Sequence, residues 1–297
     1  MAGIYVNDEG TWKLPKSVWI NQLGTWRVCK NVYVNSGGAW KELIKTVDIT
    51  SSSIDGNFNL FEYLGSPSEA LSVIVNIPFD VTIGSVGPPL PSWSPYYTSI
   101  LRTNLPKRPT AFTVGNFPTG STVIVNNNGY ISGGGGYGGA GGNSFASGPN
   151  YPNQLNGYPG GAGGDGIMKG SSNNFDITIV NTGTIAGGGG GGGGAGSYYT
   201  SGSSPFSTGG NSGGGSGGDG GGVTGFSRTQ GGPGSANNDN YVLGTDGGNG
   251  GSLGENGQAG QANGAGQRPN GAGGKAGKAV GSDIELAVSG TIIGTIG

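Results

Sequence analysis

The sequence predicts a mainly β and irregular chain: N-terminal Trp-repeat β hairpins, then a small β domain, then a packed polyglycine-II helix sandwich with β returns. Three observations carry this expectation. Tryptophan recurs every 14 residues at Trp12, Trp26 and Trp40. A β-like segment recurs after 54 residues (183 − 129) around Gly129 and Gly183. Most of the 71 glycines lie between about Gly133 and Gly281, including an unbroken run from Gly187 to Gly194.

The first part of the chain holds three equivalent units, Tyr5 to Lys13, Trp19 to Arg27 and Tyr33 to Lys41. In each, an aromatic β-former, an Asn and a short turn ending in Gly precede Trp and a basic residue, which is a hairpin signature. A unit this small folds only by stacking on its neighbours, with the tryptophans as a shared core. Two other uses of Trp12, Trp26 and Trp40 stand beside that one: an aromatic platform for carbohydrate, and a match to a partner of three-fold symmetry.

From Thr46 to Ile131 short β-like runs follow: Val47 to Ile49, Leu71 to Val75, Val81 to Ile83, Phe112 to Val114 and Thr122 to Val125. Gly and Pro clusters punctuate them. Ser66-Pro-Ser-Glu69 has the form of a capping box with proline at the first helical position, so a one-turn helix is expected after it. The loop from Pro88 to Pro109 carries Trp93, Tyr96, Tyr97, Arg102, Lys107 and Arg108. It reads as a brace packed on the domain, with a ligand site as the alternative.

In the glycine-rich part, Val123 to Gly133 recurs as Ile177 to Gly187 and more loosely as Ile284 to Ile292, where Gly290 stands 107 residues (290 − 183) beyond Gly183. The register extends into the tracts, since Gly163-Gly-Asp165-Gly matches Gly217-Gly-Asp219-Gly. A flexible Gly/Ser linker has no reason to keep such a register. The repeat therefore reads as a strand pair that returns to a common place, with a glycine-rich excursion launched from each return. Polyglycine-II strands make no internal hydrogen bonds, so their peptide groups must pair with neighbours, and only glycine lets backbones come that close. Side-chain-bearing segments interrupt the tracts at 143–156, 167–175, 197–208, 223–230 and 235–243.

Composition narrows the chemistry. The chain of 297 residues has no histidine and one cysteine, Cys29, which removes Ser-His-Asp and Cys-His catalysis, an intrachain disulfide and a thiolate zinc site. No catalytic residue, metal ligand or cofactor is assigned, and an enzyme would have to rest on carboxylates such as Asp165 and Asp219. A net charge of -2 offers no footprint for nucleic acid. Neither a signal-peptide pattern nor a run of membrane-spanning length is present in the sequence.

With these residues in view, the chain resembles the glycine-rich tail-fibre proteins of bacteriophages. The Asn-Asn-Gly129-Tyr-Ile-Ser-Gly-Gly-Gly-Gly entry into a tract, Val81-Thr-Ile-Gly84, and Phe117-Pro-Thr-Gly-Ser121-Thr-Val-Ile-Val carry the likeness. The alternation of tracts and loops is similar to the receptor-recognising adhesins at the tips of T-even long tail fibres, over about residues 80 to 297. The N-terminal tryptophan repeats are outside that pattern.

The resemblance implies a virion protein, assembled in the host cytoplasm, that binds a bacterial surface protein or polysaccharide and attaches to another tail or fibre protein. The chain thus divides into three parts: an attachment module at 1–45, read from the tryptophan repeats, a small β domain at 46–131, and a receptor-binding domain at 132–297 that the resemblance implies. The resemblance assigns receptor contact to aromatics and a cation of the inserted segments, Phe145, Tyr151, Tyr198, Tyr199, Phe206, Phe226, Arg228 and Tyr241, while fibre attachment by Trp12, Trp26 and Trp40 is read from the three repeats and their match to a partner of three-fold symmetry. A monomeric cap and a homotrimer are both compatible with it. The rival functions are a structural or ice-binding glycine protein, and a calcium-binding β-roll suggested by Gly160-Gly-Ala-Gly163-Gly-Asp165-Gly-Ile167.

Overall fold

The structure is a computed structural model that describes, from the N-terminus, strands within residues 6–36, then residues 38–85, 105, 107–139, 156–170, 174–196, 247–260, 270–288 and 290–297. Each tryptophan unit forms an antiparallel hairpin. These are β1 (Val6–Asp8) with β2 (Thr11–Lys13), β3 (Val18–Gln22) with β4 (Thr25–Cys29), and β5 (Asn31–Ser36) with β6 (Ala39–Asp48). The register is the same in all three, pairing Asn7 with Trp12, Asn21 with Trp26 and Asn35 with Trp40.

From β6 onwards the backbone coils. After β6 come β7 (Ser53–Asp55), β8 (Phe58–Asn59) and a one-turn helix α1 (Leu60–Tyr63). The second coil is β9 (Ser72–Ile77), β10 (Thr82–Gly84) and β11 (Phe112–Thr113). The third is β12 (Thr122–Asn127), β13 (Tyr130–Ser132) and β14 (Ile167–Met168). The fourth is β15 (Asp176–Asn181), β16 (Thr184–Ala186) and β17 (Lys278–Val280), and the fifth is β18 (Glu285–Val288), β19 (Thr291–Ile293) and β20 (Thr295–Ile296).

Equivalent strands of successive coils pair in parallel, giving three sheets in the orders β18-β15-β12-β9-β6-β5, β19-β16-β13-β10-β7 and β20-β17-β14-β11-β8, with β5 added antiparallel at the edge of the first. This is a β-solenoid of three faces. The recurrence around Gly129, Gly183 and Gly290 is the sequence trace of its coils, because β13, β16 and β19 are adjacent strands of one sheet.

The core follows from strand alternation. In β9, β12 and β15 every second side chain is buried, so Val73, Val123 and Ile177 stack in register, as do Val75, Val125 and Ile179. On the second face Ile83, Ile131 and Ile185 form another column, and on the third Phe112 stands between Phe58 and Ile167. A parallel sheet is ordinarily covered on both faces. Here closure of three sheets around one interior supplies the cover for the inner face.

Corners between the first and second faces use Asn-x-Gly. Asn127 is fully buried; its side chain donates to Asn181 Oδ1 at 2.7 Å and accepts from the Gly129 N–H at 3.2 Å. A side chain at Gly129 would strike the carbonyls of Pro78 and Val81, and one at Gly183 would strike that of Gly129. Outside the same face a second ladder runs from Asn126 to Asn76 to Asp48, both links at 2.8 Å.

The helix expected after Ser66-Pro-Ser-Glu69 is absent; the single turn lies before it. Asn59 caps α1 by accepting from the Glu62 N–H, and Gly65 at φ +75° ends it, with Ser66 donating to the Phe61 carbonyl at 2.9 Å. Ser66 is thus the residue that leaves the helix, at φ 57°. The capping-box spacing misled because the chain must be extended by Ser72 to join the parallel sheet, and tertiary pairing overrides a local cap.

Candidate functional site: a glycine lattice and the segments it carries

The three long excursions all leave after a second-face strand and return to a third-face strand: from β10 to β11, from β13 to β14 and from β16 to β17. The described parts of the second and third are largely glycine tracts joined by backbone hydrogen bonds at every third residue. Gly133, Gly136 and Gly139 donate to the carbonyls of Ala186, Gly189 and Gly192 at 3.0, 2.7 and 2.7 Å. Gly188, Gly191 and Gly194 donate to Gly164, Gly161 and Tyr158, each at 2.9 Å. Gly271, Gly274 and Gly277 donate to Gly194, Gly191 and Gly188, and Gly248, Gly251 and Gly254 to Gly193, Gly190 and Gly187, all between 2.7 and 2.8 Å.

The unbroken run from Gly187 to Gly194 is the tract in the middle. All its residues are buried. An added Cβ would meet the carbonyl of Gly277 at Gly187, of Gly134 at Gly188, of Gly251 at Gly189, of Gly274 at Gly190 and of Tyr137 at Gly191. Neighbours therefore press on it from three directions in turn, and no position from Gly187 to Gly193 is free for a side chain. In the outer tract 270–277 burial itself has a period of three, with Gly271, Gly274 and Gly277 buried while Ala272 and Lys275 are exposed.

The pairing also fixes which segments share an end. Gly139 joins Gly192, Tyr158 and Gly271 join Gly194, Gly248 joins Gly193, Gly260 joins Gly271, and the Gly196 N–H donates to Asn270 Oδ1 at 2.9 Å. The described residues that flank 140–155, 197–246 and 261–269 thus lie at one end of the lattice. At the other end Gly133 and Gly187 adjoin the sheets through Ala186 and Ile293, and Gly277 directly precedes Lys278 of β17.

Two cations of the Pro88–Pro109 loop are tied to the tracts. Lys107 Nζ pairs with Asp165 Oδ2 at 2.5 Å. Arg108 donates through Nε to the Gly135 carbonyl at 2.7 Å, and its guanidinium lies 3.7 Å from the centre of the Tyr137 ring. Burial lowers the Arg108 pKa from its usual value, while Tyr137 acts in the opposite direction. The stacked ring and the carbonyl compensate the guanidinium for lost water. Lys107 and Arg108 thus brace the lattice, while Trp93, Tyr96, Tyr97 and Arg102 of the same loop lie outside the described residues. Asp165, Tyr137 and Asn127 are the polar contacts that pattern reading did not assign. For Asp165, the clue was an ionisable residue inside a tract that otherwise has no use for one.

The sequence-predicted contact residues Phe145, Tyr151, Tyr198, Tyr199, Phe206, Phe226, Arg228 and Tyr241 lie outside the described residues, as does Asp219. The backbones of Trp12, Trp26 and Trp40 are on β2, β4 and β6, while their side chains are outside what is described.

Residues 44–297 match the phage tail fibre adhesin Gp38 family. The chain belongs to that family. This Gp38-family chain is a bacteriophage tail fibre adhesin, and its place is the tail fibre of the virion. It is similar to a chain in the crystal structure of the gp37-gp38 adhesin tip complex of the bacteriophage S16 long tail fiber, at 22% identity and a TM-score of 0.47, covering 86% of this chain and 83% of that one. No curated protein matches it.

Proposed function

We propose that this adhesin recognises a bacterial surface protein or polysaccharide through the segments 140–155 and 197–246, held at the far end of a polyglycine-II sandwich, with Phe145, Tyr151, Tyr198, Tyr199, Phe206, Phe226, Arg228 and Tyr241 as contact residues. The observation that carries this is the three-residue hydrogen-bond ladder, which brings the bases of both segments to one end of the lattice. Three residues per turn is the polyglycine-II repeat, and a tract of eight residues at 3.1 Å per residue spans about 25 Å. Aromatics on a rigid base gain contact area with little ordering cost. The division of labour is attachment by 1–45, a β base at 46–131 and recognition by 132–297, with the sheets running across the last join. The function is binding rather than catalysis, and assembly takes place in the host cytoplasm.

Attachment to a second fibre protein falls to the three hairpins, whose shared Asn–Trp register makes them three equivalent backbone units. The rivals have less support. The longest pure glycine run is buried, so it offers no flat glycine face to ice. The Asp165 carboxylate of the β-roll-like motif is taken by Lys107 and by the Lys278 N–H.

Exchange of residues 143–156 and 197–208 for those of an adhesin with another host range is expected to abolish adsorption to the original host, measured with purified protein on cells. Unchanged adsorption would refute the assignment of these segments.

A further inference from the structure

The three long excursions re-enter the solenoid at adjacent strands, at Phe112 in β11, Ile167 in β14 and Lys278 in β17. Something must hold three independent returns in one register, because glycine tracts contribute few side chains to do so and lose much backbone entropy on ordering. Asp165 stands at the middle return and is only 3% exposed. Its Oδ2 pairs with Lys107 of the first excursion at 2.5 Å, and its Oδ1 accepts the Lys278 N–H, where the last excursion ends, at 2.8 Å. Its own carbonyl accepts the Ala111 N–H at 2.9 Å, one residue before β11. Gly166 continues the pattern, donating to the Lys278 carbonyl at 2.8 Å and accepting from Phe112 at 2.9 Å.

We propose that Asp165 is a positioning residue that keys the three returns together and so sets the glycine lattice in register on the β core. One carboxylate reaches both flanking excursions. A buried carboxylate needs hydrogen-bonding partners of this kind, and its loss leaves the Lys278 N–H without its acceptor. Receptor recognition enters only as a consequence, and that consequence rests on the function proposed above.

The test is amide hydrogen exchange on the full-length protein, comparing Asp165→Ala, Asp165→Asn and Lys107→Met with the wild type. Asp165→Ala is expected to speed exchange at Gly163, Gly166, Gly188 and Gly277 roughly tenfold or more, with Val125 and Ile179 in the β core unchanged. Asp165→Asn keeps an acceptor for Lys278 and is expected to rescue part of the protection. Lys107→Met removes the ion pair alone and is expected to fall between wild type and Asp165→Ala. Wild-type exchange at those glycines in all three variants would overturn the proposal, as would a rise spread evenly over tracts and β core. If Asp165→Ala does not fold, the other two variants still decide, since unchanged tract exchange in both overturns it. Adsorption measured in parallel separates the two ideas: faster tract exchange with undiminished adsorption counts against the receptor assignment and leaves the registration intact.

Discussion

A methyl group at Gly191 would stand far inside 3.0 Å of the Tyr137 carbonyl, on a tract buried on all sides. Backbone on both sides leaves nothing to move aside, so Gly191→Ala is expected to cost at least about 1–3 kcal/mol, read as a lower midpoint in chemical denaturation. Ala272→Ser, at an exposed position of the neighbouring tract, is expected to stay within about 0.5 kcal/mol of wild type. The two substitutions separate glycine needed for room from small residues that only face water. None of Gly187 to Gly193 has a left-handed φ, so close approach rather than conformational freedom demands glycine there. At this scale the sequence was partly legible. The eight-glycine run marked a packed tract, but Asp165, Arg108 and Tyr137 gained meaning only when tracts far apart in the chain came together.

Among the elements, the hairpins and most strands were visible in advance because their signals are local. A turn ending in Gly and a β-branched run lie within a few residues of each other. The strands β7, β8, β14, β17 and β20 are short and were missed, since two or three residues carry too little alternation to stand out. The Asn-x-Gly corners show how an element is held by its neighbour in the next coil. Asn127→Ala would leave Asn181 Oδ1 and the Gly129 N–H without their buried partner, at an expected cost of about 1–3 kcal/mol. Equilibrium unfolding checks this, and a change below about 0.5 kcal/mol would mean that water or a shifted side chain replaces the ladder. For the hairpins, replacing Trp12, Trp26 and Trp40 together by Ala is expected to abolish co-purification with the cognate fibre protein while leaving host binding by the isolated adhesin intact. Retained co-purification would move attachment elsewhere in the chain.

The whole molecule separates two ways of building order. The solenoid buries columns of Val, Ile and Phe, each worth about 1.5–3 kcal/mol of burial, and serves as the base. The described part of the lattice buries few side chains, among them Tyr137, Tyr158 and Asp165, and depends on hydrogen bonds between backbones that glycine brings together. Ile179→Ala in the base is expected to cost about 2–5 kcal/mol and to release base and lattice in one transition, because every long excursion starts and ends on a strand of the base. Two separate transitions by calorimetry would show that the lattice holds itself together.

Recurrence is what the sequence by itself determined: tryptophan every 14 residues, a strand pair after 54 and again after 107, and tracts in which glycine alone fits. Those patterns specify strands, turns and closely packed backbone, because alternation and the lack of a side chain act over a few residues. Only the tertiary structure decided that the recurring strands are coils of a three-faced solenoid, that the eight-glycine run lies at the centre of the lattice, and that Asp165 joins three returns. Those facts depend on contacts between residues 24 (188 − 164) to 113 positions apart, and no local pattern encodes which distant backbone will supply the acceptor.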